Sequence, residues 1–202
     1  MENTTESYYG KYLEPLRDME NDILNIIDIL LNDITPDPES APAEHIRSRI
    51  KDSESTKEKL KKLRLPTDVS SALKNLSDII GIRIVTHFVG DVYKILDALK
   101  STDGCEIVKT KDYISSPKPN GYRSLHVIIR VPFEDEDIPF INIEIQLRTI
   151  AMDCWASLEH QLKYKKNISN VKLIEGELKR CADEIASTDL TMQTIRDMIK
   201  GE

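Results

Sequence analysis

The chain is poor in the residues that mark the common nucleotide and metal sites. Its seven glycines are isolated from one another, which excludes a Walker loop and a dinucleotide fingerprint. Any phosphate bound here has to be held by Lys and Arg side chains instead of a glycine-rich backbone nest. The four histidines, His45, His87, His126 and His160, form no metal-type pair, and no His-Asp dipeptide occurs. Both absences speak against a hydrolase built on His and Asp ligands. The three cysteines, Cys105, Cys154 and Cys181, are scattered and cannot all pair; reduced thiols in a cytoplasm are the expectation. Aromatic residues make up 5% of the chain, too few for a surface that stacks many bases. No apolar run approaches about 18 residues, so no membrane span is expected. The opening MENTTESYYGKYLEPL has neither the basic start nor the apolar stretch of a signal peptide.

What is present is charge, and it is clumped. The net charge of −7 disfavours general binding to DNA. Yet Arg47, Arg49, Lys51, Lys57, Lys59, Lys61, Lys62 and Arg64 crowd one stretch, and Lys109, Lys111, Lys118 and Arg123 another. Such local clusters suit a small phosphorylated ligand, or, as the plainer reading, solvated helix faces.

The 202 residues suit one domain with helical extensions. Leu16, Met19, Ile23, Ile26 and Leu30 predict a helix of about 20 residues, ended by Thr35-Pro36-Asp37-Pro38-Glu39. Residues 43–65 read as a second, mostly exposed helix, and Asp68 as the cap of a short one reaching Leu76. The β-branched run Ile79–Phe88 predicts a strand, 91–100 a helix, and 105–110, 124–131 and 140–148 three more strands. Residues 149–164 read as a helix with Ile150, Trp155, Leu158 and Leu162 as core contacts. In the tail, Ile174, Leu178, Cys181, Ile185, Thr188, Met192, Ile195 and Ile199 repeat at steps of four and three, a heptad seam. Its partner is either the N-terminal helix of the same chain or another subunit.

The chemistry concentrates in three segments. In INIEIQLR, 141–148, alternation puts Ile141, Ile143, Ile145 and Leu147 on one face and Asn142, Glu144, Gln146 and Arg148 on the other. Polar alternation alone describes any solvent-facing strand. An acid, an amide and an Arg in one row, running straight into a helix, add a set able to hold metal, base and phosphate, at the strand end where α/β sheets place ligands. Asp78 alone reads as a turn or cap residue; beside Glu144 it completes a pair of hard oxygen donors for Mg2+, with substrate phosphates supplying the rest. The loop KDYISSPKPNGYRSLH, 111–126, sets Tyr122 among cations, an arrangement able to stack a purine and neutralise its phosphates, though hairpin packing explains a lone Tyr equally well.

These three segments, Asp78–Arg83 (DIIGIR), KDYISSPKPNGYRSLH and EIQLRTIAMDCWASLEH, resemble in order and spacing the synthetase domain of the RelA/SpoT family, over about residues 44–165. The resemblance implies an α/β (α+β) fold: a central mixed sheet of about five strands flanked by helices, nucleotidyltransferase-like, with helical extensions at both ends. The implied organisation is a single domain, with an N-terminal helix in 1–40, a catalytic core in 44–165 and a C-terminal helix in 169–200. The implied reaction is transfer of the β,γ-pyrophosphate of ATP to the 3′ hydroxyl of GDP or GTP, with AMP released. The enzyme would be a cytoplasmic GTP/GDP diphosphokinase of the stringent response, Mg2+-dependent, homotetrameric and without hydrolase activity. Asp78 and Glu144 would hold the metal, and Glu144 would act as general base. Arg49 and Arg83 would sandwich adenine, and Lys51, Lys57, Lys59 and Lys61 would meet the ATP phosphates. Tyr122 would stack on guanine, with Lys111, Lys118, Arg123, His126 and Gln146 lining the acceptor side. The sequence departs from the family at Glu44–Arg49 (EHIRSR), where small residues are common, and at Asp153, where Asn is common. The alternative is a toxic relative acting on adenine nucleotides or the tRNA 3′ end.

Overall fold

The computed structural model describes residues 4–35, 41–102, 105–163 and 170–201; the helix breaker at 36–39 lies outside them. In chain order the elements are α1 (Thr4–Tyr9), α2 (Leu13–Asp33), β1 (Ala43–Ile50), α3 (Ser53–Leu63), α4 (Val69–Asn75), β2 (Ile80–Thr86), α5 (Val89–Ser101), β3 (Glu106–Asp112), β4 (Leu125–Pro132), β5 (Phe140–Thr149), α6 (Ile150–Lys163) and α7 (Val171–Lys200). The five strands form one sheet in the order β1-β2-β5-β4-β3. Only the central β2–β5 pair is parallel; the other three pairs are antiparallel.

The alternation in the strands gives the sheet two unlike faces. On one, Ile80, Ile82, Ile84, Leu125, Val127, Ile129, Ile141, Ile143, Ile145 and Leu147 are at most 2% exposed. They join Leu16, Ile23, Ile27 and Leu30 of α2, Leu73 of α4 and Val92, Ile95 and Leu99 of α5 in a single core. Each such side chain contributes about 1.5–3 kcal/mol by leaving water. The helices therefore cover this face, and the polar face is left for ligands. Asp68 caps α4 as expected, accepting from Ser71 N at 2.8 Å, and Asp52 caps α3 in the same way through Ser55 N.

Three expectations are corrected. Residues 43–50 are a strand; the helix α3 starts only at Ser53. β1 is an edge strand, and alternate residues Arg47 and Arg49 are exposed, so it lacks the apolar row that identifies a central strand. On α6, Trp155 is buried but Ile150, Leu158 and Leu162 are 46%, 55% and 46% exposed. Within the chain α7 docks on α6 and α5, where the N-terminal helix was the same-chain partner expected, and the C-terminal part of its heptad seam stays exposed. Trp155 Nε1 donates to Leu178 O, Thr149 Oγ1 to Asp189 Oδ2 at 2.5 Å and Gly90 N to Gln193 Oε1, while Arg196 pairs with Asp91 at 2.8 Å. α7 is thus fastened to α6 and to the start of α5 by polar groups, and Met192, Ile195 and Ile199 remain 50%, 44% and 81% exposed.

Candidate active site on the open face of the sheet

Strand register builds the site. In the parallel pair, Gly81 lies opposite Glu144, Arg83 opposite Gln146 and Val85 opposite Arg148. β1 adds Arg47 opposite Arg83 and Arg49 opposite Gly81, β4 adds His126 opposite Gln146, and β3 adds Lys111 opposite His126. Directly opposite residues share a face, so acids and cations from five strands converge on one surface. The site occupies the face of the sheet instead of the strand ends that the fold class favours.

β2 begins at Ile80, so Asp78 precedes it and strand alternation does not turn Asp78 away from Arg83. Asp78, Arg83, Glu144 and Gln146 line one cavity of ≈ 270 Å³ with Arg47 and Arg49. A second hollow of ≈ 460 Å³ shares Arg49 and Arg83 and continues to Tyr122, Arg148 and the α6 face around Ser157 and His160. Lys51 Nζ lies 2.9 Å and Lys59 Nζ 2.8 Å from the Asp78 carboxylate. Burial would raise the Asp78 carboxyl, but hydrogen bonds and charge from Lys59 and Lys51 hold it below its ordinary value. Lys51 is itself fixed, since its N–H donates to Ile79 O and its carbonyl accepts from Tyr9 Oη, both at 2.8 Å. Lys57 turns the other way, to Glu54 and the Tyr8 ring, and Lys61 is exposed on α3.

On the other side of the face, five side chains close a hydrogen-bonded ring. Glu144 Oε1 is 3.2 Å from His126 Nδ1 and Oε2 is 2.8 Å from Gln146 Nε2. Gln146 Oε1 accepts from Arg148 Nη2 at 2.9 Å, Arg148 Nη2 also reaches Tyr122 Oη at 2.7 Å, and Tyr122 Oη meets His126 Nε2 at 2.8 Å. An ionised Glu144 only accepts, so His126 carries a proton on Nδ1. Tyr122 Oη accepts from Arg148 Nη2 and pairs with His126 Nε2. Burial would raise Glu144; the bonds from His126 and Gln146, with the nearby His126 and Lys111, outweigh it and bring the carboxyl from 4.5 to about 2.

Tyr122 stands among cations as the loop composition suggested. Lys118 Nζ is 4.8 Å from its ring centroid and 4.7 Å from that of Tyr113. Arg123 points elsewhere: it reaches Asp183 Oδ1 at 3.0 Å and Ala182 O at 3.3 Å on α7. Gly121, at φ +89°, makes that approach feasible, since a Cβ there would lie 2.6 Å from Ala182 Cβ. Tyr113 belongs to the constellation without having been singled out from sequence, and Arg148 and Asp153, noted there as a member of the polar row and as a departure from the family that bears on acceptor choice, belong to it as well. Arg148 was visible as the next polar residue in the row; its 5% exposure and its contact with a loop 26 residues earlier were not.

Asp78 and Glu144 are anionic oxygen donors in one cavity, and no group of three His, Cys, Asp or Glu gathers as a metal cluster among the described residues. Two carboxylates with room for phosphate oxygens and water fit Mg2+, which seldom takes an all-protein cage. Arg83 Nε and Arg148 Nε, both buried, have no hydrogen-bond partner among the described residues. Among the described residues no helix is long and apolar enough to cross a membrane.

Comparison with known proteins places the chain in a family and matches its fold. The family described as "Region found in RelA / SpoT proteins" matches residues 48–169. GTP pyrophosphokinase YwaC of Bacillus subtilis (strain 168) is 44% identical over 143 residues, 70% of this chain and 68% of that protein. The small alarmone synthetase 1 of Bacillus subtilis, solved with its product pppGpp, superposes with a TM-score of 0.82 at 27% identity, covering 95% of this chain and 98% of that one. The small alarmone synthetase 2 of the same organism gives 0.74 at 38% identity, over 92% and 97%.

Proposed function

The chain belongs to the RelA/SpoT family, and from that premise we propose that it transfers the β,γ-pyrophosphate of ATP to the 3′ hydroxyl of GDP or GTP, releasing AMP, across the cleft described above. The observation that carries the assignment of roles is the placement of Asp78 and Glu144 in one cavity between two cationic banks. The Arg49 and Arg83 bank suits the donor base. Lys51 and Lys59, already on Asp78, suit the donor phosphates, with Lys57 and Lys61 adding positive potential from α3. Tyr122, with Lys118 over its ring, suits the acceptor base, while Lys111, His126 and Gln146 hold Glu144 at the acceptor ribose. Arg123 contributes by anchoring the loop to α7.

A ribose hydroxyl is a poor nucleophile and the transferred group is multiply anionic, so the reaction needs positioning, a proton acceptor and charge neutralisation. Glu144 accepts the hydroxyl through a lone pair that the ring leaves available. Held at about 2 in the free protein, it is ionised throughout the neutral range and takes the proton only as the attack develops. Phosphate charge arriving beside it raises its proton affinity. Mg2+, held by Asp78 and Glu144, would supply Lewis-acid polarisation of the phosphoryl oxygens. The exposed Met192, Ile195 and Ile199 of α7, with Met192 lining one hollow together with Ile150 of α6, support a subunit contact and a homotetramer. The three free cysteines suit a cytoplasmic protein.

The test is an acceptor panel. Protein, Mg2+ and γ-labelled ATP are mixed with GMP, GDP, GTP, ATP or tRNA. Labelled ppGpp or pppGpp, with AMP released and EDTA abolishing both, is the expected outcome; label in tRNA or adenine nucleotides alone would displace the guanine reading.

A further inference from the structure

Asp153, on the first turn of α6, has no part in the roles above, yet the two halves of the site meet on it. Its Oδ1 accepts from Arg148 Nη1 at 2.9 Å and pairs with Arg83 Nη1 at 3.2 Å. The Asp153 side chain is 14% exposed and that of Arg148 7%. Arg83 lines both hollows. Burial and then repulsion from Arg148 lower its pKa, and Asp153 opposes that shift. Arg148 is buried while the Arg83 side chain is 32% exposed, and one Asp153 oxygen serves both guanidinium groups as a shared counter-charge.

Arg148 in turn fixes the Tyr122 hydroxyl and Gln146. A continuous path therefore runs from Arg83 through Asp153 and Arg148 to Tyr122. We propose that Asp153 is a positioning residue that couples donor binding to acceptor binding, which rests on the assignment of Arg83 to the donor base and Tyr122 to the acceptor base. A base stacked on Arg83 restrains the guanidinium plane while leaving its in-plane N–H groups on Asp153. The restraint passes to Arg148, so the Tyr122 platform has less freedom left to lose when the second base arrives. Ordering shared in this way makes two ligands bind cooperatively without a change of fold.

Asp153→Asn tests this, because the amide keeps an acceptor oxygen of the same shape while removing the charge that two cations share. The affinity of a non-hydrolysable ATP analogue with Mg2+ is measured by calorimetry with and without saturating GDP. In the wild type GDP should tighten analogue binding by about tenfold, within the usual range of coupling between sites. In D153N that factor should fall towards one; loss of the shared counter-charge should also lower the thermal unfolding midpoint, so the affinity ratio, not stability, is the readout. A merely structural role would weaken both ligands and leave the ratio unchanged. An unchanged ratio in D153N, or no coupling in the wild type, overturns the assignment. So does an intact ratio with altered discrimination between GDP and IDP, which would make Asp153 a reader of the base. Failure of the wild type to make ppGpp at all is a different result: it removes the functional reading.

Discussion

Replacing Glu144 by Gln separates the charge of the carboxylate from its shape. Both oxygens accept, from His126 Nδ1 and Gln146 Nε2. The amide keeps one acceptor and presents an NH2 group to the other donor, so one N–H is left facing a donor. With the native side chain only 14% exposed, that mismatch costs about 1–3 kcal/mol at pH 7. A second signature lies in the pH dependence. The folded-state carboxyl is lowered from 4.5 to about 2. Its contribution to stability is therefore complete above the unfolded value and is lost as the pH falls through the folded one. The full displacement corresponds to about 3 kcal/mol, of which roughly 2 kcal/mol is gone by pH 3. Asp78 and Asp112 are also held low, but they titrate in both proteins and cancel in the difference. Urea unfolding of wild type and E144Q at pH 7 and pH 3 should show the stability gap narrowing by about 2 kcal/mol. Turnover at pH 7 should fall by about 10²–10⁴, the range for loss of a general base. A gap that does not change with pH would refute the ring as the cause of the low carboxyl. Turnover within tenfold of wild type would refute Glu144 as the proton acceptor.

Gly121→Ala forces a side chain into a left-handed position, 2.6 Å from Ala182 Cβ. It should cost about 1–3 kcal/mol and raise KM for the acceptor more than for ATP; an unchanged unfolding midpoint would show that the loop does not rest on α7 in solution. Met192→Lys with Ile195→Lys places two charges on the exposed seam of α7 and should convert an oligomer to smaller species by light scattering. A wild type already monomeric at micromolar concentration would end the subunit reading.

Much of the fold was legible because it is local. The runs in β2, β4 and β5 carry their own β-branched alternation, and Asp68 carries its own cap. β1 was not legible. Arg47, Ser48 and Arg49 resemble a solvated helix unless the pairing with Arg83 and Gly81 is known, and that pairing is contact between segments more than thirty residues apart. The same-chain partner of α7 was not legible for a related reason: the heptad counts apolar residues, whereas within the chain the helix docks through Asp189, Gln193 and Arg196. Apolar periodicity identifies a face that prefers to leave water, not which of two faces meets its own chain.

The candidate site divides along the same line. Glu144, Gln146 and Arg148 share a face by period two, so the row was readable from β5 alone. What makes the row chemically particular is not in the row. Glu144 is an ordinary carboxylate until His126 of β4 donates to it. Arg148 is an ordinary surface cation until Asp153 of α6 and Tyr122 of the loop bury it. Each of those partners has a bland local explanation, as turn, hairpin or helix residue. Only the closed set sets those explanations aside together: Glu144 accepts from His126 Nδ1 and Gln146 Nε2, Arg148 donates to both Gln146 and Tyr122, and Tyr122 Oη meets His126 Nε2. A change at any one of them should therefore be felt at Glu144, two bonds away at most.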